Sequence, residues 1–229
     1  MLTFFRNPFN LVSLILVPFI LIEGMGYALG TMPELPGMTA IPEEEGRIIG
    51  ALFSTAFLTG LMGLFQVINA REGDRRLNIA GAEHFDLLTV RIVTILILGA
   101  LVSAINYAVL LRTITPESHL LAFAPLISAG MIYGFFGVLI GAVLPKELEA
   151  SLVMVFLVDM DVFLGSGVFD TQEWIQEYFP LHHSGNMLRE AVVEGTYTLE
   201  DPYMIVLYLF VLFILVSGVF YLISRGGFK

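Results

Sequence analysis

Six apolar stretches, at approximately 9–31, 46–69, 87–111, 119–143, 148–166 and 203–224, set the limits on what this chain can become. About 20 apolar residues in helical form match the hydrocarbon thickness of a bilayer. Each stretch therefore reads as a transmembrane helix, and the chain as an all-α integral membrane protein with six spans. Charge supports this: 14% of the 229 residues are charged, where soluble domains run near 25%. The links 32–45, 70–86, 112–118, 144–147 and 167–202 leave little chain for a soluble domain, so residues 1–229 read as one transmembrane domain. The run at 9–31 is too long for a cleaved signal and lacks a small-residue cleavage site, so the first span is expected to stay.

Composition excludes several functions. With no cysteine there is no disulfide framework and no thiolate metal site. A net charge of −10 argues against nucleic acid as a partner, since that role needs a basic face. No G-x-x-x-x-G-K-[ST] run is present, and Gly24-Met25-Gly26 with Gly30 has the wrong spacing for a dinucleotide loop and lies inside a span. This chain is therefore expected to be no enzyme and to bind no cofactor.

The densest mixed charge lies at 70–91: Arg71, Glu72, Asp74, Arg75, Arg76, Glu83, His84, Asp86 and Arg91. A central Arg or Asp costs about 2.5–3.5 kcal/mol to insert, so this stretch stays outside hydrocarbon. It is long enough for a short helix, which Asp74 can cap and Gly81 can end. Lys and Arg fix the orientation. With the N-terminus inside, Arg6, Arg71, Arg75, Arg76, Lys146, Arg225 and Lys229 face the cytoplasm, against Arg47, Arg112 and Arg189 outside. Both termini are then cytoplasmic, and Phe4, Phe5 and Phe9 around Arg6 suit either a short interfacial helix or a frayed, aromatic-anchored end.

The link at 167–202 is the least regular. Trp174, Ile175, Tyr178 and Phe179 follow helical spacing, as do Met187, Leu188, Ala191 and Val192. Two short amphipathic helices meeting at Pro180 and returning to one side fit a re-entrant hairpin, which needs protein or water around its backbone. The glycine pairs Gly26/Gly30, Gly46/Gly50 and Gly137/Gly141 suit either a dimer seam or close packing within the chain, with packing the plainer reading.

Two proteolytic chemistries fail on sequence. Gly165-Ser166-Gly167 with His182 and His183 downstream lacks the G-x-S-G pattern of rhomboid proteases. Glu43, Glu44 and Glu45 lack histidine partners and read as a solvated loop leading into the second span, with Glu45 placed for the helix dipole. Adjacent His182 and His183 point about 100° apart on a helix and seldom share a metal, so a cap region and a hydrogen bond are the expected roles. Ionisable groups inside spans usually face a cavity or a partner. On that ground Glu23, Asn106, Asp159 and Asp161 are candidates to line a substrate path. The plain reading of the aspartates is an early end to the fifth span, with both in a wet vestibule.

These features together resemble the membrane subunit of an ATP-binding-cassette exporter of the type-2 permease family. Arg6-Asn7-Pro8 and the apolar run to Pro18 are similar to the family's first span. Arg71-Glu72-Gly73, Leu77, Leu87-Leu88 and Arg91 are similar to the loop that carries its coupling helix. Ser166-Gly167-Val168-Phe169 resembles the outer end of its fifth span, and Phe179-Pro180, Met187-Leu188-Arg189 and Gly195 resemble its re-entrant hairpin. There are departures. Asp74-Arg75-Arg76 replaces a Thr-Leu-Glu-like run, Gly81 replaces a common proline, and the first outer loop is short.

The resemblance implies a dimer of permease subunits, homo- or heterodimeric, in a prokaryotic plasma membrane. It implies a separate cytoplasmic ATPase docked on the helix near 72–82, through Arg71, Glu72, Gly73, Asp74, Arg75, Arg76 and Leu77. ATP would sit on that partner. The bland role for the arginines, contact with anionic lipid, can coexist with docking. The rivals are a stand-alone six-span secondary transporter or channel, disfavoured by the lack of an internal repeat, and a non-transporting component of a larger assembly.

Overall fold

A computed structural model describes residues 8–33, 41–71, 73, 84–144, 146–169 and 172–224. Among them are eight helices and no strand: α1 (Pro8–Gly30), α2 (Glu43–Ile68), α3 (His84–Leu110), α4 (His119–Val143), α5 (Glu147–Gly165), α6 (Glu173–Gln176), α7 (Pro180–Val193) and α8 (Glu200–Ser224). The six long helices coincide with the six apolar stretches to within about one turn, because backbone in hydrocarbon must satisfy its own hydrogen bonds, as a continuous helix does. By length and composition α2, α4, α8 and the Thr89–Leu110 part of α3 suffice to cross a membrane. The 19 residues of α5 carry Glu147, Glu149, Asp159 and Asp161, and in α1 the apolar run is Leu14–Gly30.

The helices differ in depth. In their most apolar windows α2 is 67% buried and α4 56%, whereas α8 is only 17% buried. So α2 and α4 form the centre, and α8 presents Val206, Phe210, Phe213 and Ile214 outward.

Glycine sets the closeness of the central packing, and all three glycine pairs take part in it. A Cβ on Gly46 would lie 2.9 Å from the Met25 carbonyl oxygen, and one on Gly50 2.8 Å from that of Leu21. Gly26 and Gly30 meet Arg47 and Glu43 from the other side of the same α1–α2 seam. A Cβ on Gly141 would lie 2.7 Å from the Leu64 carbonyl oxygen, and Gly137 faces Gly60. These contacts bring backbones together within one chain, the use of small residues expected where apolar lipid gives helices no hydrophobic drive to associate.

Two boundaries differ from expectation. Glu43, Glu44 and Glu45 are the first turn of α2 and not a loop, where their charge complements the helix dipole. The helix before Pro180 is one turn only, ending at Gln176. Phe179 is extended, with φ −103° and ψ 124°, because a residue before proline is pushed out of the helical region.

Candidate functional site

Polar groups concentrate at the two ends of the bundle. At one end the segment after α2 begins with Arg71. Its guanidinium Nη2 donates to the Leu144 carbonyl at 2.6 Å and also to that of Gly141. Arg91, near the start of α3, donates from Nη1 to the Gln66 carbonyl at 2.7 Å. A helix leaves its last four carbonyls without partners, and a cation there also meets the negative end of the dipole. Arg71 thus closes α4, and Arg91 closes α2. Of the expected coupling residues, Gly73 is exposed. Glu72, Asp74, Arg75, Arg76 and Leu77 lie outside the described residues.

The opposite end is built around α7. Its first residue, Pro180, has no N–H to satisfy, and no side chain at Phe179 caps the helix. The cap comes from α5: the Asp161 carboxylate accepts the Leu181 N–H at 3.2 and 3.3 Å. It also accepts the Tyr133 hydroxyl of α4. Asp161 is 2% exposed. Such burial is tolerable only for a well-bonded carboxylate. A second tie runs to α2, where the Arg189 guanidinium pairs with Glu45 and donates to Asn186 Oδ1 (3.0 Å) and the Ser166 carbonyl (3.2 Å).

The two histidines of α7 sit in contrasting surroundings. His182 Nδ1 is 2.9 Å from the Gly165 carbonyl, and its Nε2 faces the Asn186 amide nitrogen at 3.2 Å. A neutral ring meets both needs, and burial holds the His182 pKa below the ordinary value. His183 Nδ1 lies 2.6 Å from Asp201 Oδ1, and its Nε2 2.9 Å from the Glu177 carbonyl. Burial pulls its pKa down, but the hydrogen bonds the ring donates to Asp201 and to the Glu177 carbonyl, with the charges of those two residues, outweigh it, for a net rise.

The hydrogen bonds and ion pairs that the candidate path residues make among the described residues run to other groups and not to one another. Glu23 pairs with Arg47 at 3.1 Å, and Arg47 also holds Glu43 at 2.6 Å, tying α1 to α2. Asn106 is 0% exposed. Its amide donates to the Val102 carbonyl at 2.9 Å, and its Oδ1 has no partner among the described residues. Asp159 is half-buried on α5, while Asp161 turns inward to α4 and α7. Nothing in the sequence pairs Tyr133 with Asp161, His183 with Asp201 or Arg189 with Glu45. A lone tyrosine in an apolar run and partners 144 residues apart leave no local signal.

An all-helical bundle of membrane-length apolar helices, packed backbone to backbone through glycine, is a multi-pass membrane protein. Its residues 46–224, from the first turn of α2 to the end of α8, match the model of the ABC-2 family transporter protein, and the chain belongs to that family. No curated protein matches it.

Proposed function

We propose that this chain is the membrane subunit of an ATP-driven exporter, with six spans, both termini cytoplasmic, and a home in a prokaryotic plasma membrane. The family match over residues 46–224 carries the reading. Two copies, or this chain and a related one, enclose the substrate path. A separate ATP-binding-cassette ATPase supplies the energy, and this chain itself binds no nucleotide and catalyses no reaction. α1 and α5 are the remaining spans, and α6 with α7 forms a re-entrant hairpin between α5 and α8.

The ATPase docks on a coupling helix within 70–86, where Arg75 and Arg76 offer pairs to acidic groups and Leu77 an apolar contact. The two arginine caps support a role for Arg71 different from docking. Its side chain is engaged on the end of α4, so it ties the loop to the bundle and leaves partner contact to the residues that follow. Movement of the loop then reaches α2 and α4 together, since the Gly60–Gly137 and Leu64–Gly141 contacts join them. Asp159 and Asn106 are the path candidates that retain capacity toward a polar substrate; Glu23 and Asp161 serve the fold through their in-chain partners.

Co-purification with the ATPase encoded beside this chain tests the reading. Arg75→Glu with Arg76→Glu should abolish complex formation and transport-coupled ATP hydrolysis, while the chain still folds. If complex and coupled hydrolysis both survive, the docking assignment is wrong.

A further inference from the structure

His183 is enclosed by acceptors. A neutral imidazole has one donor and one acceptor nitrogen. The Glu177 carbonyl can only accept, so Nε2, 2.9 Å away, carries a hydrogen. Nδ1 is then bare unless the ring is an imidazolium, and it lies 2.6 Å from Asp201 Oδ1. The contact is satisfied when the ring is protonated, or when the proton has moved to the carboxyl oxygen. Either way His183 and Asp201 hold two protons between them. Loss of one sets lone pair against lone pair in a site where His183 is 3% exposed, and water cannot screen the contact. His182, one residue earlier, has a donor on one nitrogen and an acceptor on the other, so a neutral ring suits it.

We propose that His183, Asp201 and the Glu177 carbonyl form a proton-held clasp, which fastens α7 and the turn before it to the start of α8 and releases as the pH at that end of the bundle rises. The geometry fixes what opens. Glu177 belongs to the turn between α6 and α7, His183 to the first two turns of α7, and Asp201 to the first turn of α8. Release loosens α8's start from α7, while the Tyr208 hydroxyl still reaches the Glu177 carbonyl at 3.3 Å and Asp161 and Arg189 still hold α7 to α5 and α2. By the inside-positive orientation this is the outer end, so the clasp would read external pH.

Every titratable neighbour bears on the sign. From α8, Asp201 and the Tyr208 ring face His183, the latter at 6.0 Å between centroids. Glu177 lies on the turn side. His182 meets it edge-on at 5.4 Å. Asp161 of α5 interacts with its charge, with Tyr133 of α4 behind that carboxylate. Asp201 and Glu177 accept the ring's hydrogen bonds and set their charges beside it, which favours the protonated ring over burial's opposing effect. The folded value is raised, so the clasp contributes fully below the unfolded histidine pKa of about 6.5 and is lost as pH rises through the raised value.

The sequence contains no cysteine, so introduced thiols label cleanly. Tyr178 and Tyr203, both exposed, flank the clasp. Nitroxide pairs at Tyr178→Cys and Tyr203→Cys, in the full chain in nanodiscs, should give one narrow distance at acid pH. A longer, broader population should grow in with a midpoint above about 6.5. Each unit of raised pKa makes the open-to-closed ratio about tenfold larger at alkaline than at acid pH. Asp201→Asn should remove this response, because its amide N–H can donate to Nδ1 of a neutral ring whose Nε2–H still reaches Glu177. A wild-type distance unchanged from about pH 5 to about pH 9, or the same pH profile in Asp201→Asn, overturns the clasp. Nitrogen-15 histidine spectra of the wild-type chain, assigned with His183→Gln, give a reading independent of the Asn variant. Nε2 of His183 should carry hydrogen at acid pH, and a bare Nε2 there overturns the proposal. None of these measurements needs the ATPase, so they stand apart from the transport reading.

Discussion

Replacing Asp161 with alanine should destabilise the chain strongly, because one carboxylate serves donors from two other helices. The Leu181 N–H loses its only side-chain acceptor at the α7 N-terminus; loss of such a cap costs about 1 kcal/mol. The Tyr133 hydroxyl, in one of the largest fully buried side chains, is left without its acceptor, at a cost of about 1–3 kcal/mol. Together these give roughly 2–4 kcal/mol. For a chain of this length each kcal/mol moves the unfolding midpoint by about 2–4 °C, so the drop should be roughly 5–15 °C. The single tryptophan, Trp174, sits in α6 just before the capped helix and gives a fluorescence readout of thermal unfolding in detergent. Tyr133→Phe should be milder, since the carboxylate keeps Leu181. The double variant should show a coupling of at least about 0.5 kcal/mol, as residues in contact do. If Asp161→Ala unfolds within about 0.5 kcal/mol of wild type and shows no coupling to Tyr133→Phe, the capping argument is wrong. Asp161 would then be free to act as a path residue.

Two further substitutions probe the centre and the opposite end. Gly141→Leu places a side chain where a Cβ alone would come 2.7 Å from the Leu64 carbonyl oxygen. Overpacking of this kind costs about 1–3 kcal/mol or more, so the variant should lose monodispersity on size exclusion; a well-folded variant would show that α2 and α4 can separate freely. Arg71→Gln removes the cation from the end of α4, worth about 0.3–1 kcal/mol at a helix terminus. Amide exchange over 141–147 should quicken while ATPase co-purification persists, and unchanged exchange there would refute the cap.

Much of the fold was legible in the chain itself, and the reason is local. A run of apolar residues specifies a helix without reference to anything else, since lipid supplies no partner for its backbone. The apolar run at 119–143 and the helix His119–Val143 coincide for this reason. The site was legible in its ingredients and not in its joins. Asp161 stood out as a carboxylate inside a span, and His182 and His183 as histidines near Pro180. Which of them turned inward depended on helices far apart in sequence. Glycine spacing marked close packing at Gly137 and Gly141, yet only the contact with Gly60 and Leu64 named the partner.

Apolar length and charge therefore determined where the six long helices lie, to within about one turn, and that the chain lives in a membrane. The tertiary structure alone decided that α2 and α4 are central, that Arg71 closes α4, and that α7 is held on three sides by Asp161, Arg189 and the His183–Asp201 pair. The physical reason is range. Hydrophobic length acts on neighbours along the chain, whereas a hydrogen bond or ion pair exists only when two distant segments bring donor and acceptor to within about 3 Å.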